Sequence, residues 1–168
     1  MSALSPILNR WPWFAFLASA AMLAIAHGFE TFGHLAPCML CLKEREAYWI
    51  AGSIGLAGMA ADFTPFKATA GRLITALLAA AFLYSLGYAV YHAGAEQHYW
   101  PGPKACSGGV NSVSAADLSA LLKGAKLKIV SCETIVWSFL GLSMAAWNAV
   151  ISLVLVVLSA MAALRKPA

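Results

Sequence analysis

Apolar residues in this chain come in long uninterrupted runs, not in the short alternations of a soluble fold. Uncharged stretches extend from Trp11 to Phe29, Ala47 to Ala61, Leu73 to Ala95 and Thr134 to Leu164. A helix crossing the hydrocarbon core of a bilayer needs about 20 residues, with about 17 tolerated, so the pattern predicts four crossings. The second run is the shortest and reaches spanning length when Leu42 to Glu46 joins it, with those charges at the interface. The last run is too long for one crossing. Gly141 and Ser143 interrupt it, which predicts a span from Ser143 to Leu164 and a short interfacial helix over Thr134 to Leu142, where Trp137 and Phe139 suit the head-group region. The expected fold is an all-α membrane protein, a four transmembrane helix bundle with spans at about 11–29, 42–61, 73–92 and 143–164. It forms a single integral membrane domain over residues 1–168.

Composition agrees with this. Hydrophobic residues make up 61% of the chain and charged residues 11%, with a mean hydropathy of +0.75, well outside the range of a soluble domain. The first run resembles a signal peptide, since Arg10 precedes it and Ala18-Ser19-Ala20 has the look of a cleavage site, but apolar residues continue to Phe29 and favour a helix. Four spans put both termini on one side and the loops at about 30–41 and 93–142 on the other. All four cysteines then share one face. Lys and Arg divide almost evenly between the sides, so the positive-inside rule barely discriminates. An even number of cysteines gathered on one face points to an oxidising compartment, which places the termini in the cytoplasm. In the second loop, Tyr99 to Gly109 is rich in turn-forming Pro and Gly, and Ser114 to Asp117 reads as a capping box for a short helix through Leu121 and Leu122.

The cysteines carry the candidate chemistry. Cys38 and Cys41 frame two residues just after Pro37, where a loop becomes a helix. Pro suits the loop or first helical turn, and the helix amino end favours an anion, here the thiolate that attacks disulfides. Arg45 follows Cys41 by one helical turn and adds positive charge on the same face, so Cys41 is expected to be the more easily ionised thiol. Two plainer readings stand beside this: a static Cys38–Cys41 bridge, and an Arg45 that snorkels toward head groups. Cys106 and Cys132 lie in the long loop, where a bridge between them is either a staple or a carrier of disulfides to the first pair. A zinc site made of all four cysteines requires two closely spaced pairs and only the first is close, so no metal is expected. A thiol at the top of a membrane helix, with an arginine beside it and lipid below, is well placed to meet a lipid-soluble quinone.

The residues Pro37-Cys38-Met39-Leu40-Cys41 with Arg45, the later pair Cys106 and Cys132, and Trp137 with Phe139 to Met144 before the last span resemble the DsbB-type disulfide bond formation proteins over essentially the whole chain. The resemblance implies a quinone-dependent protein thiol oxidase of the bacterial inner membrane, with its cysteines on the periplasmic side. It reoxidises a DsbA-like thioredoxin-fold partner and passes electrons to ubiquinone or menaquinone. By the same resemblance, Cys106 receives the partner's attack and pairs with Cys132, Cys38 exchanges with the loop pair, and Cys41 with Arg45 faces the quinone. His92 matches loosely a family histidine near the quinone, against the plain reading of a solvated interfacial side chain. Glu30 is a further proton-relay candidate. Ala145 stands where the family often has proline, and Glu44 where many members have glutamine.

The bilayer, the quinone and the thioredoxin-fold protein are the expected partners, and no nucleic acid is. Vitamin K epoxide reductase-like proteins are a rival of the same class, but there the loop pair precedes the C-x-x-C, the reverse of the order here. The remaining alternatives are a disulfide-stapled scaffold without turnover and a paralogue dedicated to one partner.

Overall fold

The computed structural model describes residues 5–65, 67–103 and 131–165. Among the described residues five helices carry the fold: α1 (Ser5–Asn9), α2 (Trp11–Thr31), α3 (Met39–Ala61), α4 (Lys67–Glu96) and α5 (Met144–Leu164). The expected capping box at Ser114 to Asp117 and its helix, together with Cys106, lie outside the described residues.

Three of these helices, Trp11–Thr31, Ala70–Glu96 and Met144–Leu164, are long and apolar enough to cross a membrane. α3 has 23 residues, so at about 1.5 Å per residue it is slightly longer than α2 and α5, with 21 each, but its first two turns carry Lys43, Glu44, Arg45 and Glu46. Each helix runs past its expected boundary on at least one side or starts within a residue of it. Glu30, Thr31 and Ala93 to Glu96 remain helical because polar side chains at a helix end do not interrupt the backbone ladder.

Small and polar residues share the interior with a few large apolar ones, and many large apolar residues face outward. Ser19, Ser85, Ser152 and Ser159 are fully buried, while Leu17, Trp49, Leu83 and Val154 are more than half exposed. That inversion suits lipid, where apolar surface gains nothing from burial and small side chains let helices approach. Leu78 and Phe82 of α4 form the apolar centre with Ala15, Tyr48, Ala51 and Leu155.

The terminal end of the bundle is tied at several points. Trp11 Nε1 donates to Ser159 Oγ at 2.8 Å, Trp13 Nε1 donates to Asp62 Oδ2 at 3.0 Å, and Arg165 reaches Ser5. At the opposite end Ser143 caps α5 by accepting from the Ala146 N–H at 3.1 Å and donates its hydroxyl proton to Glu96 of α4. One side chain thus fixes where α5 begins and holds it to α4.

The short interfacial helix expected over Thr134 to Leu142 is not formed. Two antiparallel strands of two residues, β1 (Ser138–Phe139) and β2 (Leu142–Ser143), pair there instead. The linking residues Leu140 and Gly141 have φ of 52° and 80°. Two successive positive φ values make the tight hairpin turn that matches strand twist and cannot continue a right-handed helix. Trp137, Phe139 and Trp147 still form an aromatic run, reaching Phe29 of α2 with ring centres 5.0 Å apart.

Candidate active site

Cys38 is the N-cap of α3, with extended backbone, and its sulfur accepts from the Cys41 N–H at 3.3 Å. The two sulfurs are 2.9 Å apart, and both cysteines are free thiols. The Cys41 thiol beside it, helped by the Cys41 and Leu40 backbone, holds the Cys38 thiol below its ordinary value against the opposing effect of burial. This reverses the expected order of ionisation within the pair. The cap position, not the residue a turn before Arg45, receives the free N–H groups of the helix end.

Arg45 is turned toward α2. Its guanidinium donates to Glu30 Oε2 at 2.5 Å and to the Ala26 carbonyl at 3.1 Å. Glu30, a proton-relay candidate by sequence, is therefore an ion-pair partner of Arg45.

His92 lies against the cysteine pair, its Nε2 3.6 Å from Cys38 Sγ. Its Nδ1 is 2.8 Å from Glu44 Oε1. A carboxylate on one ring nitrogen favours that nitrogen as the donor and, in the neutral ring, leaves the other as an acceptor, so the lone pair of neutral His92 faces Cys38. The carboxylate is held in turn: Asn148 Nδ2 donates to Glu44 Oε2 at 2.7 Å, and Tyr48 donates to Asn148 Oδ1 at 2.6 Å. Ser152 bonds the Tyr48 hydroxyl and Ser85, both at 3.0 Å. Glu96, one turn beyond His92, places Oε1 4.0 Å from Nε2. His92, Glu44, Glu96 and Asn148 are all at least nine-tenths buried, so this line of polar groups crosses α3, α4 and α5 away from water.

A cavity of about 340 Å³ adjoins the pair, within the range of sites for small organic ligands. Met22, Ile25 and Phe29 of α2, Val136 and Trp137, and Ile151 of α5 line its apolar wall; Cys41, Arg45, His92 and Asn148 line the polar one. Cys132 is disulfide-bonded. It is buried in a small cluster with Cys38 and Leu40, packed by Cys41 and Tyr88. Glu133, next in the chain, accepts from the Gly102 N–H at 2.8 Å and so clasps the two chain ends on either side of residues 104–130.

The structure thus brings together Cys38, Cys41, Arg45, His92 and Cys132 from the sequence-derived set. Sequence reasoning misses Glu44 as the partner of His92, and with it Asn148, Tyr48, Glu96 and Ser143. A signal for Glu96 and Asn148 exists: polar groups in or beside an apolar run are expensive in lipid and mark functional positions.

The chain matches the family described as Disulfide bond formation protein DsbB over residues 9–162. It belongs to the DsbB family. Relatives named Disulfide bond formation protein B include one from Nitrosospira multiformis, 30% identical over 86% of this chain and 84% of its own length. Another, from Hahella chejuensis, is 31% identical over 96% of this chain and 97% of the relative. A third, from Pasteurella multocida, is 30% identical over 85% and 79%. No solved structure matches the chain. As a DsbB-family member the chain is a disulfide oxidoreductase with membrane-spanning helices.

Proposed function

We propose that this DsbB-family chain reoxidises a DsbA-like thioredoxin-fold dithiol in the periplasm and delivers the electrons to a membrane quinone, ubiquinone or menaquinone. The observation that carries the reading is the contact of the Cys38–Cys41 pair with both His92 and a cavity whose far wall is apolar. On this reading α3 is the fourth crossing, with its charged first turns at the outer interface, and the whole chain acts as one bundle in the inner membrane.

The partner's thiolate attacks Cys106, forming a mixed disulfide and releasing Cys132 as a thiolate. The partner's second thiol then resolves that bond, leaving the partner oxidised and the loop pair reduced. Cys132, already packed beside Cys38, passes the reduction on by attack on Cys38, releasing Cys41 as a thiolate, and Cys106 then resolves the mixed disulfide, so that the loop pair is oxidised again and the Cys38–Cys41 pair is left reduced. Each exchange conserves electrons, since one disulfide forms as another breaks. When the reduced pair is oxidised again, His92 accepts the Cys38 proton through Nε2, and Glu44 stabilises the imidazolium from the other side.

The cavity lining suits a quinone: its apolar wall would hold a flat hydrocarbon-borne group, and Arg45, Cys41 and His92 would offer polar partners to its oxygens. A quinone supplies, when bound, an acceptor for two electrons and two protons.

The test is quinone reduction by the purified protein when a reduced thioredoxin-fold partner is added, comparing wild type with Cys41→Ser. Turnover that vanishes in the variant is expected. No turnover by the wild type with either quinone would return the chain to a stapled scaffold. A second comparison separates the pairs: Cys106→Ala should stop oxidation of the protein partner but spare that of small dithiols, and equal loss of both would refute the division of roles.

A further inference from the structure

The sulfurs of Cys38 and Cys41 and a ring nitrogen of His92 all lie within 4.8 Å of one another. We propose that in the reduced protein these three side chains, with Glu96, bind a single zinc ion. Two thiolates, an imidazole and a carboxylate are a donor set that zinc favours. In a tetrahedral zinc site a sulfur and a nitrogen ligand are about 3.6 Å apart, and Cys38 Sγ and His92 Nε2 are separated by 3.6 Å. Nε2 and Glu96 Oε1, at 4.0 Å, close to about 3.4 Å on metal binding. The two sulfurs, at 2.9 Å, open to about 3.8 Å, and Cys41, which lines the cavity, has the room to turn.

The surroundings of the donors point the same way. Metal-bound histidines typically give their second ring N–H to a carboxylate, which fixes the ring and raises its basicity. His92 does this with Glu44, and Asn148 holds Glu44 in place. Ser143 ties the other oxygen of Glu96.

Binding releases two thiol protons and changes no oxidation state. A disulfide has no thiolate to offer, so the site exists only when the pair is reduced, and bound zinc keeps the pair from closing. Zinc is then an inhibitor that recognises one redox state of the protein. The proposal stands on the geometry of the reduced pair alone, so a failure to reduce quinone leaves it intact.

The experiment uses the full chain in detergent, reduced or oxidised, freed of reagent and equilibrated with zinc chloride. Metal retained after desalting is measured by atomic absorption. One zinc per reduced chain and none per oxidised chain is expected, with cobalt chloride giving thiolate-to-metal absorption in the reduced protein only. Cys41→Ser should abolish retention. Glu44→Gln, close to isosteric, should weaken affinity by about 10–100-fold at unchanged stoichiometry. No zinc on the reduced wild type, equal zinc on both redox forms, or an unchanged affinity in Glu44→Gln would overturn the proposal. Full retention by Cys41→Ser would do so as well, since it would put the metal on the loop pair. The comparison of redox forms needs no substitution and so does not depend on any variant folding.

Discussion

The same four long helices are closed at one end of the bundle and parted at the other. At the terminal end, a Cβ on Gly58 would lie 2.6 Å from Pro12 Cβ and 2.9 Å from Ile74 Cγ2, and one on Gly55 would lie 3.0 Å from the Pro12 carbonyl oxygen. At the cysteine end, α2 stands away from α5 to enclose the cavity, and α3, α4 and α5 are joined by buried hydrogen bonds. The difference separates two tasks. Glycine contacts and indole caps fix the helix positions, so the open end can keep ionisable groups buried without relying on them for its shape. Substitutions at the closed end should therefore act on stability, and those at the open end on turnover.

The largest effect is expected at His92. His92→Gln keeps a donor for Glu44 but loses the base that faces Cys38, and should lower dithiol-dependent quinone reduction by about 10²–10⁴-fold with little change in detergent unfolding. An equal fall in stability would erase the contrast between the ends. Next is Gly58→Val, which overpacks the contact with Pro12 and Ile74 and should cost about 1–3 kcal/mol, measured from the unfolding midpoint in mixed micelles, while the folded fraction retains its turnover.

Asn148→Leu tests whether the open end contributes stability as well. It removes the partner of both Glu44 and Tyr48 and should cost about 1 kcal/mol, as interhelical hydrogen bonds in membranes do. Its turnover should fall by less than that of His92→Gln. The smallest effect is a shift in a pH profile. The Cys38 thiol is held below its ordinary value, and its thiolate is present above that value. Iodoacetamide labelling of Cys38, followed by mass spectrometry, should stay fast to lower pH than for a free cysteine and slow only as the pH falls through the lowered value. Cys41→Ala removes the largest cause, so the profile should move to higher pH. An unmoved profile would assign the effect to the backbone N–H groups.

The helices were legible because each is an apolar run, and the motif at Cys38 and Cys41 because a proline, a pair of thiols and an arginine fall within a few turns. The hairpin at Ser138 to Ser143 was not legible, since hydrophobic pattern carries no information on the sign of φ at Leu140. Nor was the partnership of Glu44 with Asn148, residues 104 positions apart: helix packing makes that contact, and each residue taken alone reads as a stray polar group. Arg45 shows the limit of local spacing. Its distance along α3 from Cys41 was correct, but Glu30 and the Ala26 carbonyl of another helix decide where its charge goes.

The clasp between Gly102 and Glu133 has a kinetic consequence. By fixing Glu133 it tethers Cys132 beside Cys38, so under the proposed relay these two residues would meet at an effective concentration that dilution of the protein does not alter. Transfer between them would then be first order, whereas encounter with a soluble dithiol would remain second order. As the supply of reduced partner fell, the encounter would become the slow step and the internal exchange would keep its speed.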